Sequence, residues 1–408
     1  MNHDLLRGVR IIESSAFIAA PLAGLTLAQF GAEVIRVDMI GGGIDYRRLP
    51  TLGGGRSLYW TGLNKEKKSI AIDLRSPAGR ELLRRLVCAP GRDGGVLLTN
   101  IGVPWLSHAE LSHLRKDLIS CTVEGNSDGS TAVDFTVNCA SGLPMWADSG
   151  SGPQNTPFPW WDYCCAYQVA FGIAAALRKR ALSGSGSELR IALSDVAFTA
   201  MSHMGILAES ELLQVEREPI GNHIYGAFGH DFRTGDGGRV MVAAISIGQW
   251  NALVNCCGLQ ESVAELEKRT GRDLTLEAER FALREELVAL CRPWFAGRTR
   301  EQAESALAAA GVCWGRYQSV SELVQQDPRL RGEVYETVST PGIGEHRTAG
   351  TAIRQAGVRR QSTQPAPWLG QHTDEVLASV LGIDAEEIGQ LHRDGTVAGP
   401  EGDPFHGV

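Results

Sequence analysis

At 408 residues the chain is long enough for two domains, each with a core of its own. A formal charge of −8, with Lys and Arg scattered along the chain, leaves no broad basic footprint and argues against nucleic acid as a partner. Nine cysteines without Cys-x-x-Cys pairs read as reduced thiols, the opening MNHDLLRGVRIIE lacks the apolar core of a signal peptide, and no apolar run is long enough to span a bilayer, so a soluble cytoplasmic protein with no membrane partner is expected.

Short apolar runs alternate with longer amphipathic ones, the pattern of an α/β fold with a largely parallel sheet covered by helices. VRIIE (9–13) predicts a strand, PLAGLTLAQFG (21–31) a helix and AEVIRVD (32–38) the next strand. KSIAID (68–73) repeats the unit, with Ser76 as N-cap and Pro77 as the first residue of the helix AGRELLRRLV. GGVLLTN and LISCTVEG add two strands. A long helix is expected from about residue 163, and after SGSGSELRIALSD (183–195) another runs to about 212.

The character then changes. Strand-like RVMVAAIS and charged helices such as LEAERFALREELVALCRPWFA suggest a smaller module, so the expected division is a large domain over 1–220, a small one over 221–330 and a returning segment over 331–408. Within that segment STPGIGEHRTAG and RRQSTQPAPWLGQ read as polar connection, and DGTVAGPEGDPFHGV as a mobile tail. Two short helices lie between, the second capped by Asp384 with Glu387 three residues on.

Asp38 closes a first β-α-β unit, but ESSAFIAAPLAG lacks the G-x-G-x-x-G that lets a backbone approach a pyrophosphate. Gly41–Gly43 and Gly53–Gly55 are not followed by the Lys-Ser/Thr of a P-loop and read as turns or as a loop that closes over a ligand. His223 and His230 have no second ligand pair, so no metal site is expected.

The stretch PFPWWDYCCAYQVAFGIAAALRKR (157–180) places Asp162 among apolar residues, where a carboxylate is costly unless something compensates. It reads as a helix N-cap or as a nucleophile kept ionised by the helix terminus, and the two are not exclusive. Cys164 and Cys165 offer a competing nucleophile but read better as filler, since no His partner lies near in sequence.

Taken together, VRIIESSAFIAAPLAGLTLAQFGAEVIRVD, LNKEKKSIAIDLRSPAGRELLRRLV, WDYCCAYQVAFGIAAALRKRALSGSGSELRIALSDVAF, GNHIYGAFGHDFRTGDGGRVMVAA and PAPWLGQHTDEVLASVLG resemble, in order, the signatures of the class III CoA-transferases, the formyl-CoA and carnitine CoA-transferase type. The resemblance implies a Rossmann-like large domain that binds CoA, a smaller α+β domain, and two chains interlocked as a homodimer. It implies that Asp162 attacks an acyl-CoA thioester, with no metal and no cofactor beyond the CoA of the substrate.

By the same resemblance Asn64, Lys65, Lys67, Lys68, Arg36 and Asn100 are CoA contacts, with Arg47 and Arg48 as further phosphate candidates. Asp134 matches an acidic residue ahead of the nucleophile. Backbone N–H groups around Tyr225 and Gly226 are oxyanion candidates, and His223, Tyr225 and Arg47 are candidates for the substrate's second carboxylate. Two departures stand out: TNIGVPW lacks the family's Arg, and Ile18 stands where the formyl-CoA enzyme has Gln, which disfavours formyl and oxalyl groups. GRSLYWTGLNKEKKSIAID and LGQHTDEVLASVLGIDAEEIGQLHRDGTVAGP resemble a subgroup in which CoA moves between the two carboxylates of one mesaconate. Transfer from a dicarboxyl-CoA such as succinyl-CoA to a separate acid is the alternative.

Overall fold

The computed structural model describes residues 3–53, 55–147, 150–358 and 361–407. The chain runs through β1 (Arg10–Ser14), α1 (Ala19–Gln29), β2 (Glu33–Asp38), α2 (Leu58–Asn64), β3 (Lys68–Ile72), α3 (Pro77–Cys88), β4 (Val96–Thr99), α4 (His108–Ser112) and β5 (Ile119–Glu124). Next come α5 (Asp134–Ala140), α6 (Leu143–Trp146), α7 (Trp160–Ser183), β6 (Ser187–Ala192), α8 (Leu193–His203) and α9 (Ile206–Leu213). Then follow β7 (Phe228–Arg233), β8 (Arg239–Ala244), α10 (Ile247–Cys257), α11 (Gln260–Thr270), α12 (Glu277–Ala282), α13 (Arg284–Ala296), α14 (Arg300–Ala309), β9 (Cys313–Arg316) and α15 (Val320–Gln326). The chain ends with β10 (Tyr335–Thr340), β11 (Gly344–Ala349), α16 (Thr373–Leu381), α17 (Ala385–Arg393) and β12 (Val397–Ala398).

These elements form two compact units. The first comprises the chain up to Ser141, Thr156–Glu209 and everything from Pro328; the second comprises Gly142–Asn155 and Ser210–Asp327. The second unit thus begins at Ser210 and ends at Asp327, where the sequence predicts 221 and 330, and it also takes in Gly142–Asn155.

In the first unit seven strands lie in the order β12-β3-β2-β1-β4-β5-β6, all parallel except β12. Apolar runs such as RIIES and VLLT suit strands covered on both faces. On one face Ile12, Ile35, Ile70 and Leu97 pack with Leu82, Leu83 and Leu86 of α3 and with Val376 and Leu377 of α16. α1 is buried along almost its whole length and packs against α7. Its Gly24 permits a close approach, because a Cβ there would fall 1.8 Å from Glu13 Oε2.

Ser76 caps α3 by accepting from Gly79 N, with Pro77 at the first helical position, as its sequence predicts. Asp384 likewise accepts from Glu387 N at the start of α17. Two expectations are corrected. The polar stretch around STPGIGEHRTAG is the antiparallel hairpin β10-β11, because its turn residues separate two runs that pair in full register. The C-terminal stretch is ordered: β12 adds an antiparallel edge to β3, and Asp403 accepts from Tyr46 Oη and from Leu369 N. Arg359 and Arg360 of the connecting segment lie outside the described residues, as does Gly54.

The second unit has a three-stranded antiparallel sheet, β7-β8-β9. Phe228, Phe232, Val240, Trp250, Leu287 and Phe295 form its core, with the rings of Phe232 and Phe295 stacked at 4.3 Å.

Candidate active site

Strand order reverses at β1, which lies between β2 and β4, and in doubly wound sheets ligands bind at such a point beyond the carboxyl ends of the strands. The loop after β1 is pinned there. Asn100, just past β4, accepts from Ala16 N at 2.9 Å and donates to Ala16 O at 2.8 Å, while Asp45 accepts from Phe17 N at 3.0 Å. These bonds hold Phe17 at φ 65, a left-handed conformation unusual for a bulky residue.

A cleft of about 450 Å³ opens at this edge, bordered by Phe17, Arg48, Tyr59, Asn100, Glu124, Asp134 and Asp162. A second cleft of about 470 Å³ shares Ile18 and Tyr59 with it.

Asp162 reaches the cleft from the first turn of α7. The helix starts at Trp160, earlier than periodicity suggested, so Asp162 is not its N-cap. Asp134, at the start of α5 and only 2% exposed, takes that role: its Oδ2 accepts from Trp161 N at 2.6 Å and from Asp162 N at 3.0 Å. A cap of this kind contributes about 1 kcal/mol. Trp161 Nε1 donates to Asn138 Oδ1 at 3.0 Å, fixing α5 against α7 a second time. Asp134 is thus a buried structural acceptor and not an exposed aspartate. The Asp162 carboxylate, relieved of capping, makes no hydrogen bond among the described residues.

Burial pushes the Asp162 carboxyl up to about 7, the nearby Asp134 carboxyl adds to the shift, and the Arg48 guanidinium opposes it. Asp134 is itself raised by burial, against the pull of the two N–H groups it accepts. A carboxyl poised near neutrality is a stronger nucleophile when ionised than an ordinary aspartate, and ionises over an accessible pH range. The neighbouring thiols are poorly suited to compete. Cys165 is buried and its thiol is pushed up to about 12 by burial, and Cys164 is also raised by burial.

Beneath the cleft lies a network of charges. Arg36, 1% exposed, donates to Glu13 at 3.2 Å, to Asp38 at 2.8 and 2.9 Å, to Asn64 Oδ1 at 3.1 Å and to Ser15 O at 3.1 Å, with Asp45 at 3.5 Å. Lys67, 4% exposed, donates to Glu13, Asn64 Oδ1 and Pro21 O at 3.0, 2.9 and 2.7 Å. Burial works against the charge of Arg36, but Asp38, Glu13 and Asp45 outweigh it and raise its pKa.

Arg36, Asn64 and Lys67, expected as CoA contacts, are buried and bonded to one another and to these acids, and tie together the carboxyl ends of β1 and β2 and the end of α2. Lys65 donates to Thr348 Oγ1 at 2.7 Å and Ala349 O at 2.6 Å, and Lys68 is paired with Glu33 at 2.8 Å and Glu375 at 2.7 Å. Of the six expected CoA contacts, Asn100 alone borders the cleft around Asp162, and its amide is committed to Ala16. Arg47 lies over the Phe405 ring at 5.9 Å and does not border that cleft, whereas its neighbour Arg48 does.

His223, Tyr225 and Gly226 belong to the second unit. His223 Nε2 pairs with Glu285 at 3.0 Å, and its ring is 4.4 Å from that of His230. The Arg217 guanidinium sits 3.6 Å from the Tyr225 ring centroid, and Gly226, at φ 75, makes the turn into β7. Among the described residues no group of three His, Cys, Asp or Glu side chains is arranged to hold a metal ion.

A six-stranded parallel core with an acidic cleft at its switch point defines a doubly wound α/β protein whose reactive candidate is a carboxylate. The chain belongs to the CoA-transferase family III, whose model matches residues 6–373. It is 45% identical to the 2-methylfumaryl-CoA isomerase of Chloroflexus aurantiacus, over 97% of this chain and 98% of that relative. It is 28% identical to the succinyl-CoA–D-citramalate CoA-transferase of the same organism, over 95% and 96%. A CAIB/BAIF family protein from Brucella suis shares the fold with a TM-score of 0.76 at 22% identity, over 93% of this chain and all of that one.

The polar and aromatic cleft residues that sequence reasoning missed include Tyr59, Phe17 and Glu124, and Arg48 as a lining residue. Tyr59 Oη is buried without a hydrogen-bond partner among the described residues, and burial raises its pKa. SLYW carried no chemical signal that would have singled it out.

Proposed function

We propose that this chain is an intramolecular CoA transferase that converts 2-methylfumaryl-CoA (mesaconyl-C1-CoA) into 3-methylfumaryl-CoA (mesaconyl-C4-CoA). The observation that carries the reading is the 45% identity, across nearly both full lengths, to a 2-methylfumaryl-CoA isomerase. The position of Asp162 gives it a mechanism.

In this reading an Asp162 oxygen attacks the thioester carbonyl, the C–S bond breaks, and a mixed anhydride and CoA thiolate result. The thiolate attacks the Asp162 carbonyl carbon and the anhydride C–O bond breaks, leaving aspartyl-CoA thioester and free mesaconate. The other mesaconate carboxylate then attacks the aspartyl thioester and expels CoA thiolate. Attack of that thiolate on the mesaconyl carbonyl of the new anhydride releases the isomeric thioester and restores Asp162. Each step exchanges one acyl bond for another, so the atoms balance without a metal or redox cofactor beyond the CoA of the substrate. Water must be kept from the anhydride, and the apolar walls around Phe17 and Ile18 serve that end.

A cytoplasmic homodimer belongs to the same reading. Tyr167 and Phe171 of α7 and Phe198 of α8 are exposed, Phe171 by 77%, which favours a partner surface. Light scattering on purified protein measures this: a dimer mass is expected.

The test of function is to follow both regioisomers by chromatography with carbon-labelled free mesaconate present. Interconversion with no label entering the CoA pool is expected. Label in the thioester would replace this reading with transfer between separate acids.

A further inference from the structure

The geometry points to Arg48 as the residue that holds the unreacted carboxylate of the substrate, and so restricts the site to thioesters of dicarboxylic acids. This rests on the reading of the cleft as a site of CoA transfer.

Arg48 is the sole Lys or Arg among the described residues that border the cleft, where it faces three acids, Glu124, Asp134 and Asp162. Glu124 is paired with Arg190, and Asp134 is committed to the start of α7. The Arg48 guanidinium has no ion pair or hydrogen bond among the described residues. It lies 5.7 Å from the Phe17 ring centroid and 5.4 Å from that of Tyr59. Its backbone is fixed on both sides: Arg48 N donates to Asp45 O at 3.1 Å, and Arg48 O accepts from Ser57 Oγ. A guanidinium held between aromatic faces, with its N–H edges uncommitted, suits bidentate capture of a carboxylate.

Charge makes the same demand. A dicarboxyl thioester brings a second negative charge into a cleft that already holds Asp162, and a cation must offset it. A single anchor suffices for an isomerisation. While one carboxyl of mesaconate reacts at Asp162 the other rests on Arg48, and after the acid turns the two have exchanged places. The same cation therefore serves both regioisomers.

The test uses full-length protein and the first half-reaction, formation of the aspartyl-CoA thioester on Asp162, read by intact mass after quenching. Two substrate pairs are compared. The first is 2-methylfumaryl-CoA and (E)-2-methylbut-2-enoyl-CoA, in which a methyl replaces the free carboxylate; the second is succinyl-CoA and butanoyl-CoA. Wild type is expected to favour the dicarboxyl member by on the order of 100-fold in kcat/KM, and Arg48→Met to reduce that preference to within about threefold, chiefly through KM. Arg48→Lys should restore part of the preference, and Arg48→Gln should behave as Arg48→Met does.

An equal loss with both members of a pair, or no loss with either, overturns the proposal, because Arg48 would then act on Asp162 or on nothing. If wild type forms the aspartyl thioester from succinyl-CoA but does not isomerise 2-methylfumaryl-CoA, the functional reading fails while the second pair still decides the role of Arg48. Aspartyl thioester formed from neither dicarboxyl substrate overturns both.

Discussion

Two groups of charge lie at the same edge of the sheet and follow opposite rules. In the network of Arg36, Lys67, Glu13, Asp38 and Asp45 nearly every donor has an acceptor, and the side chains are almost wholly buried. In the cleft the Asp162 carboxylate has no hydrogen bond among the described residues, and the Arg48 guanidinium has no ion pair or hydrogen bond among them, only the Phe17 and Tyr59 rings. A buried ion pair offsets the cost of its desolvation and fixes geometry; an uncompensated carboxylate retains that cost as reactivity. Asp134 stands between the two groups, since it spends its charge on α7 and at the same time discourages ionisation of Asp162.

Substitutions in each group sharpen the contrast. The largest effect is expected from Asp162→Asn, which should lower turnover by on the order of 10⁴-fold or more. Its stability should not fall. The folded-state pKa of Asp162 is raised above that of the unfolded chain, so its contribution to stability is fully present at low pH and is lost as pH rises through about 7. Above pH 7 urea unfolding should therefore find the variant at least as stable as wild type.

In the network the order reverses. Arg36→Met leaves Glu13, Asp38 and Asp45 buried without their common partner, and should cost about 3–5 kcal/mol in urea unfolding. A loss of under about 1 kcal/mol would mean that the network relaxes or takes up water.

Asp134→Asn is intermediate. The amide oxygen can still accept from Trp161 N and Asp162 N, while the like charge beside Asp162 disappears. In wild type kcat/KM should rise with pH as Asp162 ionises near 7, and in the variant that inflection should move to lower pH. An unmoved inflection would assign it to another group.

The smallest effect is expected from Lys68→Met. Its ion pairs with Glu33 and Glu375 are partly exposed, so a loss of about 0.5 kcal/mol is expected from thermal or urea unfolding.

Much of this was legible in the sequence, for identifiable reasons. Buried parallel strands write themselves as apolar runs, and Ser76-Pro77 as a helix start, so the sheet and its first helices could be read from pattern. The hairpin of residues 335–349 could not, because it is too polar for the pattern of a half-buried strand. Nor could β12, two residues long in a Gly-rich tail.

Asp162 announced itself as a charge in an apolar setting. That its capping duty passes to Asp134 depends on a contact between residues far apart in the chain, which periodicity does not carry. The Lys-rich NKEKK reads as a solvated face, and Lys67 is drawn inward only because Glu13 waits on β1 and Gly24 leaves room for it. Between Arg47 and Arg48 the doublet offers no basis for choice; the bonds of the Arg48 backbone to Asp45 and Ser57, and its place on the cleft, make it.

The most direct measurement of the central claim is to incubate the protein with 2-methylfumaryl-CoA, trap with hydroxylamine, and map the adduct by peptide mass spectrometry. A hydroxamate at Asp162, absent without substrate, is the predicted result. Isomerisation that proceeds with Asp162 never modified, or with a mesaconyl thioester found on Cys164 or Cys165 when hydroxylamine is left out, would contradict it.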